Sequence, residues 1–589
     1  MGDQSTFEFF KQETSHAEIV IRTEAMSNLC LVAALMTPEK VRSDMLPYLQ
    51  TKLMDMDQVI LALGRKIGDI LSFIGGPEYA HLVVPIIEAL CCIEETVVRS
   101  AASASACRIL AQIDPNAHST SAQAFISMLK RLCGEEAGEV FYPRVSACQM
   151  IDEIYRVAVN SGDRAAVQDI YFGLCRDDMA IVRRAAALAF PKVVKLAEPS
   201  AQSAEFLELL KSLSSPDEHQ TVRILAVQSY VSYCKTLTES NVMAPVVGEV
   251  GPLVKAAVDD NSWKVRLAIV NEYGVFASCF PAEYVTAEIF PSFVHLLQDS
   301  EADVRSLACE SALAFIEIVG ADAFLTEVVP TAVQLSQDAT PAVRKALADM
   351  CVDVAAKVGP EAVAQHMSDI VVKCLEDEDP SVKLRVLLKV GVLASEVPTL
   401  FQRLTPCIKN LYSDENWRVR RQITLAMPSV IKHMGTEFFD DNFRAPFLDT
   451  FKDGVAEVRL ATATTLPQMC EAGTAAWVFE KIFPTVNSMA EEEYLFRLTM
   501  LTALRSLLAA DLSERFQGQI VGLLLGAASD VVANVRLAVA IILGEACKRI
   551  TGETSAAVIA QIKPVLSELE NDKDKDVKYF AQESLKHCV

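Results

Sequence analysis

The sequence lacks the features that mark catalytic, metal-binding and redox sites. No two cysteines have the C-x-x-C spacing of a metal or redox site, and the eight histidines lie far apart along the chain. Glycine-rich phosphate loops, the G-x-S-x-G nucleophile motif and the H-E-x-x-H zinc motif are all absent. We therefore expect a protein that is not an enzyme and that has no cofactor and no metal ion.

Positive charge and long apolar runs are also scarce. The chain has 54 lysine and arginine residues against 77 aspartate and glutamate residues, a net charge of −23. Such a surface repels phosphate backbones and anionic lipids, so we expect no nucleic-acid partner. No uncharged run is as long as the roughly 18 residues of a membrane helix, so we expect no membrane insertion. Scattered cysteines suit a reducing compartment, and we expect a cytoplasmic location with the nucleus as a second one.

Aromatic residues make up only 7% of a chain that is 51% hydrophobic. The rest of the hydrophobic content comes mainly from alanine, valine, leucine and isoleucine, which suit the packing of helix on helix. The alternating pattern of half-buried β-strands has no useful length anywhere in the sequence. These observations predict an all-α protein.

One stretch, 413–435, shows the pattern on which the rest of the chain is built. It contains an acidic residue, a short turn, a Val-Arg pair and a helix whose apolar residues fall on one face: Val419, Ile423, Ala426 and Val430. Gly435 stands where a left-handed residue would end that helix. A single copy buries too little apolar surface to fold alone.

The Val-Arg pair recurs about every 39 residues. The equivalent basic residues are Arg99, Arg144, Arg183, Arg223, Arg266, Arg305, Arg344, Lys383, Arg420, Arg459, Arg497, Arg536 and Lys578. An acid stands six residues earlier in eleven copies: Asp177, Asp217, Asp260, Asp299, Asp338, Asp377, Asp414, Asp453, Glu491, Asp530 and Asp572. With two less regular copies at the N-terminus, the period predicts an elongated, curved α-solenoid of about fifteen HEAT repeats, each with two antiparallel helices.

The repeated acid and arginine have a structural interpretation. A catalytic acid and base would occur once, in a cleft, whereas these residues occur about a dozen times. A carboxylate at the end of one helix and a guanidinium at the start of the next can form hydrogen-bonded ladders from repeat to repeat. We expect this role for them.

Three aromatic residues depart from the repeat pattern. They occupy a position three residues before the basic residue, in the predicted turn between the two helices of a repeat: Trp263, Trp417 and Tyr494. Most copies have a small or polar residue there. An exposed aromatic ring on a polar turn is typical of a protein interface. The alternative is that each ring folds back onto the adjacent repeat.

The turn sequences resemble one family in particular. The segments are DDNSWKVRLAIV at 259–270, SDENWRVRRQITLAMP at 413–428, GTEFFDDN at 435–442, DDMAIVRRAAA at 177–187 and DVKYFAQESL at 576–585. They closely resemble the scaffold (A, 65-kDa) subunit of type 2A serine/threonine protein phosphatase. The chain length and the repeat count agree with this resemblance.

The resemblance implies a non-catalytic scaffold for a heterotrimeric phosphatase. Repeats 11–15, at 396–589, would bind the phosphatase catalytic subunit, and repeats 1–10, at 1–395, would bind a variable regulatory subunit. The catalytic-subunit contacts carried over are Trp417, Arg418, Tyr494, Leu495, Ala533 and Asn534. The regulatory-subunit contacts carried over are Asp177, Asp178, Arg183, Arg184 and Trp263. This chain departs from the family at Ala456, where an aromatic residue is common, and at Met179, where proline is common.

Two other functions remain open at this point. A nuclear transport receptor is also an acidic HEAT solenoid, although usually a longer one with different turns. An enzymatic activity of the chain itself is the second, and the absence of catalytic motifs argues against it. Affinity purification with mass spectrometry separates these hypotheses by the partner recovered.

Overall fold

The computed structural model describes residues 2–134, 140–243, 246–359, 366–549 and 555–588. Within these ranges the regular structure is helical, and no residue lies in a β-strand. The chain divides into two compact units, Met1–Phe293 and Val294–Val589. The predicted all-α class is confirmed, and each unit is a stack of paired helices, the arrangement of an α-solenoid. The docking portions at 1–395 and 396–589 are defined by their partners and stay a prediction.

Each repeat contributes an upstream and a downstream helix. The upstream helices of the first eight repeats are Gly2–Glu13, Pro38–Lys40 with Leu46–Gln50, Val84–Cys91, Ser119–Cys133, Ser161–Cys175, Pro199–Ser203 with Glu205–Leu213, Val247–Val258, and Ala282–Tyr284 with Phe290–Leu296. The downstream helices of the first seven are Ile19–Ser27 with Leu29–Ala33, Asp57–Lys66, Thr96–Leu110, Tyr142–Val157, Ala180–Leu196, Gln220–Gln228 with Tyr230–Glu239, and Trp263–Ala277.

The same pairing continues through the second unit. Its upstream helices are Ala321–Leu335, Ser368–Leu375, Pro398–Asn410, Thr436–Asn442 with Arg444–Asp449, Ala475–Lys481 with Phe483–Ser488, Glu514–Gly526, and Ser555–Leu569. Its downstream helices are Ala302–Ser311 with Leu313–Val319, Pro341–Val358, Pro380–Leu388 with Val390–Glu396, Trp417–Met434, Ala456–Ala472, Tyr494–Leu507, Ala533–Arg549, and Lys575–Leu585.

Proline interrupts several of the upstream helices. Pro47 and Pro291 each follow a π-helical turn, Val41–Met45 and Val285–Ile289, which widens the helix before the proline. Proline lacks the N–H donor and its ring collides with the carbonyl one turn earlier. The interruptions of these two helices therefore have a local cause in the sequence.

The core of each unit lies between paired helices and between successive downstream helices. The valine before the repeated basic residue is at most 1% exposed in these copies: Val98, Val182, Val222, Val265, Val304, Val343, Val382, Val419, Val458, Val535 and Val577. Burial of one such side chain stabilises a fold by about 1.5–3 kcal/mol. The repeated valine therefore fixes each downstream helix against its neighbours.

Glycines with a positive φ end three of the downstream helices. Gly320, Gly359 and Gly435 have φ values of +83°, +91° and +90°, a backbone conformation that other residues rarely adopt. The N–H of Gly435 donates to Ile431, and its carbonyl accepts from Phe439, the first turn of the next helix. The predicted helix end at Gly435 is therefore also the start of the following repeat.

Candidate protein-binding site on the turns between paired helices

The turn between the paired helices is shaped by the repeated acid and the repeated arginine. In the turn at 414–420, one carboxylate oxygen of Asp414 accepts the N–H of Asn416 at 2.8 Å. The guanidinium of Arg420 donates to the carbonyl of Asp414 at 2.7 Å. The sequence requires these residue types because a short carboxylate can bend back to the chain two residues on, and a guanidinium has several donors. The backbone of the turn is thus held at both ends.

Most of the repeated basic residues also reach an acid of the next repeat. Arg420 binds both carboxylate oxygens of Asp453, at 2.7 and 3.0 Å. The same ion pair, called a rung below, recurs between successive repeats. The rungs are Arg22–Asp55, Arg144–Asp177, Arg183–Glu218, Arg223–Asp260, Arg305–Asp338, Arg344–Asp377, Lys383–Asp414, Arg420–Asp453, Arg497–Asp530 and Arg536–Asp572. The ladder expected from the sequence is present.

The rungs are shielded from solvent. The side chains of Arg344 and Asp377 are 8% and 7% exposed, and two hydrogen bonds at 2.6 and 3.0 Å join them. In the last rung, the hydrogen bond from Arg536 lowers the pKa of Asp572 to about 2. Bidentate pairs of this kind fix orientation as well as distance. The ladder therefore gives successive turns a fixed relative geometry within each unit.

The aromatic position lies at the first residue of the downstream helix, not inside an irregular turn. Trp263, Trp417 and Tyr494 each begin their helix. Both tryptophans are half-buried, whereas Tyr494 is 45% exposed. The solvent exposure expected for all three is thus found fully only for Tyr494, and the two tryptophans are partly covered.

The residues that follow the tryptophans stack on them. The guanidinium of Arg418 lies 4.6 Å from the ring centre of Trp417, and the ammonium of Lys264 lies 5.8 Å from that of Trp263. The side-chain oxygen of Asn416 accepts the N–H of Arg418 at 2.9 Å, which caps the helix. Each tryptophan is thus partly exposed and has a positive charge beside it.

The remaining residues predicted to contact the phosphatase partner lie on the same kind of turn. Leu495 is 42% exposed beside Tyr494. Ala533 begins its helix and is half-buried, and Asn534 is exposed. Two residues before Ala533, Val531 is 90% exposed. Of the predicted positions, Tyr494 and Leu495 display exposed apolar side chains, and the partner contact itself stays a prediction.

The residues predicted to contact the regulatory partner divide into two groups. Asp177 and Arg183 are engaged in rungs with Arg144 and Glu218. Asp178 and Arg184 are exposed on either side of them. The structure thus leaves the second pair open to a partner and gives the first pair a role in the ladder.

Sequence reasoning missed several exposed apolar residues on these turns. Five of them stand two to five residues before a repeated basic residue, and two lie in the turn before the helix Asp57–Lys66. They are Met54, Met56, Val97, Val140, Met179, Ile181 and Val531, with exposed fractions from 43% to 96%. Their signal was an apolar residue in an otherwise polar turn, which counting aromatic residues alone could not find. The turns are therefore more apolar than the aromatic pattern indicated.

Other kinds of site receive no support from the described part of the chain. Among those residues, no three His, Cys, Asp or Glu side chains come together as a metal site. In the same ranges, no helix is long and apolar enough to cross a membrane. An open groove of about 810 Å³ beside Gln168 and Phe172 is lined by charges that pair with one another, such as Lys211 with Glu208 and Glu249. The turns remain the candidate site.

Comparison with known proteins agrees with the resemblance seen in the turn sequences. Residues 282–359 match the family model described as PPP2R1A-like HEAT repeat. The A-type regulatory subunit of PP2A from Schizosaccharomyces pombe is 30% identical over 264 residues, which are 44% of this chain and 42% of the relative. The alpha isoform of the 65 kDa A-type regulatory subunit of phosphatase 2A from Arabidopsis thaliana is 34% identical over 195 residues, 33% of this chain and 32% of the relative.

The aligned segments thus span less than half the length of these relatives. The human beta isoform of the same 65 kDa protein is 33% identical over 200 residues, 33% of this chain and 32% of the relative. Two solved structures of Kap95p share the fold. One, reported for Kap95p binding to RanGDP, has a TM-score of 0.58 at 14% identity, over 99% of this chain and 72% of that one. The other, yeast importin-beta, has a TM-score of 0.56 at 13% identity, over 99% and 73%.

Proposed function

From the relationship of this chain to the 65 kDa scaffold proteins of phosphatase 2A, we propose that it is a non-catalytic scaffold of a type 2A phosphatase. It binds the catalytic subunit through the turns of repeats 11–15 and a variable regulatory subunit through the turns of the earlier repeats. A cytoplasmic and nuclear location belongs to the same proposal, and free rather than paired cysteines support it.

One observation carries the proposal: apolar side chains are exposed on turns whose backbone is held by buried ion pairs. Tyr494 and Leu495 are more than two fifths exposed, and Arg497 beside them forms a rung with Asp530. Exposing these side chains in the free chain costs hydrophobic free energy that a partner recovers on binding. Because the ladder has already ordered the backbone, little conformational entropy is lost when the partner binds. The turns are therefore suited to protein docking.

The proposed binding of the regulatory subunit rests on a different set of exposed side chains. Around Asp178 and Arg184, the exposed apolar residues are Met179 and Ile181, at 43% and 44%. Flexible methionine and aliphatic side chains adapt to differently shaped partners better than rigid rings do. Such a surface suits a position at which several alternative subunits compete.

The experiment is a binding titration of the full chain against a type 2A catalytic subunit. The double variant Tyr494→Ala with Leu495→Ala should weaken binding by at least about tenfold, because truncation of central interface residues costs about 1–2 kcal/mol or more. Leu460→Ala is the matched control, since Leu460 is also exposed, at 44%, but lies within its helix beyond the turn. Equal affinities of both variants would overturn the placement of the catalytic subunit.

Affinity purification of the full chain, followed by identification of the recovered partner, addresses the transport-receptor alternative. The likeness to Kap95p concerns the fold alone, at 14% identity. Binding of Ran rather than a phosphatase catalytic subunit would favour that alternative. Recovery of the catalytic subunit in equal amount with the chain supports the scaffold.

A further inference from the structure

Two buried cysteines of the last repeats lie against each other. The Sγ atoms of Cys547 and Cys588 are 3.0 Å apart, about 1 Å more than an S–S bond of about 2.05 Å. Both thiols are free, and their residues are 8% and 3% exposed. Cys547 lies in the last turn of the helix Ala533–Arg549, and Cys588 lies in the turn that follows Lys575–Leu585.

The approach of the two segments continues along their length. Ser584, one helical turn before Cys588, donates its hydroxyl to the carbonyl of Ala540 at 2.8 Å. A Cβ atom on Gly544, one turn before Cys547, would collide with the Ser584 side chain. The backbones are thus held close by a glycine and a serine on the face that carries both sulfurs. The sulfur contact is therefore part of a packed seam and not a chance meeting of two flexible side chains.

Other cysteines of the downstream helices have different partners. Cys107 donates to the carbonyl of Gln149 at 3.5 Å, and Cys148 donates to that of Val182 at 3.8 Å. Each of those thiols binds a backbone carbonyl of the next helix. Cys588 lies near a carbonyl too, that of Ser584 at 3.7 Å, but it also has the sulfur of Cys547 as a neighbour.

We propose that Cys547 and Cys588 are a redox modification site, which peroxide converts into a reversible disulfide within the chain. Cys588 attacks one oxygen of the peroxide as a thiolate, forming a sulfenic acid and releasing hydroxide, which takes up a proton to become water. The sulfur of Cys547 then displaces the sulfenic hydroxyl, and its proton leaves with that group as a second water. Two thiols are oxidised by two electrons, and one peroxide is reduced to two waters.

The order of the two steps follows from the surroundings of each sulfur. Burial raises the pKa of Cys547 to about 12, so this thiol stays protonated at neutral pH and is not the one that attacks peroxide; it gives up its proton only to the sulfenic hydroxyl that it displaces. Cys588 lies in a turn in which the N–H of Cys588 bonds to the carbonyl of Leu585 and that of His587 bonds to Ser584. A turn opens locally more easily than a helix interior. Peroxide therefore reaches Cys588 first, and reclosure of the turn brings the sulfenic acid back to Cys547.

The disulfide would fix the last helix to the one before it. The two cysteines are 41 positions apart, so the bond closes a long loop and disfavours the opened state. The helix that carries Cys547 begins with Ala533 and Asn534, two of the predicted binding residues. Oxidation would therefore hold one helix of the candidate binding surface without altering its turn. This inference does not depend on the proposed function.

The test is peptide mapping of the full chain after hydrogen peroxide treatment, alkylation of remaining thiols and proteolysis without reduction. The exposed Cys92 reports the effective peroxide dose. We expect a cross-linked peptide pair joining Cys547 to Cys588, lighter by two hydrogens and separated by dithiothreitol. In the Cys547→Ser variant, Cys588 should instead proceed to the sulfinic acid. If Cys92 is oxidised while Cys547 is recovered alkylated, the proposal is wrong.

Hydrogen exchange supplies a second measurement. Amides of 575–588 should exchange at least about tenfold more slowly in the oxidised chain than in the reduced one, because the disulfide suppresses local opening of this segment. The Cys588→Ser variant, treated identically, should show no slowing. A cross-link without slower exchange would overturn the inference that the bond fixes the last helix.

Discussion

Two turns of the second unit, at 414–420 and 491–497, have the same sequence frame but differ in their ion pairs. In the first, Asp414 accepts from Lys383 of the preceding repeat at 2.7 Å. In the second, Arg459 of the preceding repeat does not pair with Glu491 and donates instead to the hydroxyl of Thr499 at 3.1 Å. One methylene is the difference between the two acids.

The comparison shows why aspartate suits this position. Where the acid of a rung stands six residues before the basic residue it is aspartate, whose short carboxylate accepts an N–H two residues on while meeting the basic side chain, as Asp414 and Asp453 do. Glu491 is exposed, and the neighbouring Glu492 pairs with Lys452 at 2.6 Å. The turn with the incomplete ladder is also the one with the most exposed ring, Tyr494. A turn can thus lack the rung to the preceding repeat and still be held by the rung to the next one, here Arg497–Asp530.

The largest expected effect comes from removing an acid that forms a rung. Asp453→Ala should lower the local unfolding free energy of 456–472 by about 3 kcal/mol, because it leaves the guanidinium of Arg420 shielded and without its carboxylate. Native-state hydrogen exchange measures this value. Glu491→Ala, at the equivalent position without a rung, should change the local unfolding free energy by less than about 0.5 kcal/mol. Equal losses would show that the ladder does not stabilise the repeats.

Removing the aromatic ring from the first turn should affect binding and not folding. Trp417→Ala should weaken binding of the catalytic subunit by about 2 kcal/mol, because a half-exposed indole with a cation beside it is a typical interface anchor. Calorimetric titration measures the affinity, and thermal unfolding should move by only a few degrees. Unchanged affinity would mean that the ring serves its own repeat.

The substitute partner of Arg459 should contribute less than a carboxylate. Thr499→Val removes the hydroxyl acceptor from a guanidinium that is 8% exposed, and we expect a loss of about 1–2 kcal/mol in local stability. Hydrogen exchange of 494–507 measures it. Thr464→Val, on an exposed helix face, is the control and should be nearly neutral. A loss as large as that of Asp453→Ala would remove the distinction between complete and incomplete rungs.

The smallest effect is expected on the acid side of the stability profile. The pKa of Asp572 is lowered to about 2 in the folded chain, against about 4 in an unfolded one. Its contribution to stability is present above pH 4 and is lost as the pH falls from about 4 toward about 2. Hydrogen exchange of 575–585 as a function of pH should show this loss, and Asp572→Asn should remove it. An unchanged pH profile in that variant would contradict the ionised rung.

The sequence predicted the period, the helix pairs and most rungs because each depends on residues at fixed spacing. It failed where spacing does not decide geometry. At Arg183 the acid used is Glu218, one residue beyond Asp217, because a longer side chain from the next position reaches the guanidinium. The half-burial of Trp417 and the stacking of Arg418 on its ring are side-chain arrangements, which spacing does not predict. The exposure of Met179 and Val531 was missed because valine and methionine are ordinary core residues, so that only their place in a polar turn marked them.

Because every rung joins a basic residue of one repeat to an acid of the next, no repeat contains a complete set of its own partners. Arg305 and Arg344 hold their acids with the same atoms and nearly the same distances. If one whole repeat between Arg305 and Arg344 were deleted, Arg305 would pair with Asp377, and the new ion pair would have the same chemistry as the two it replaces. Such a chain can lengthen or shorten in evolution by whole multiples of its unit, whereas a deletion of half a unit would set arginine against a helix face.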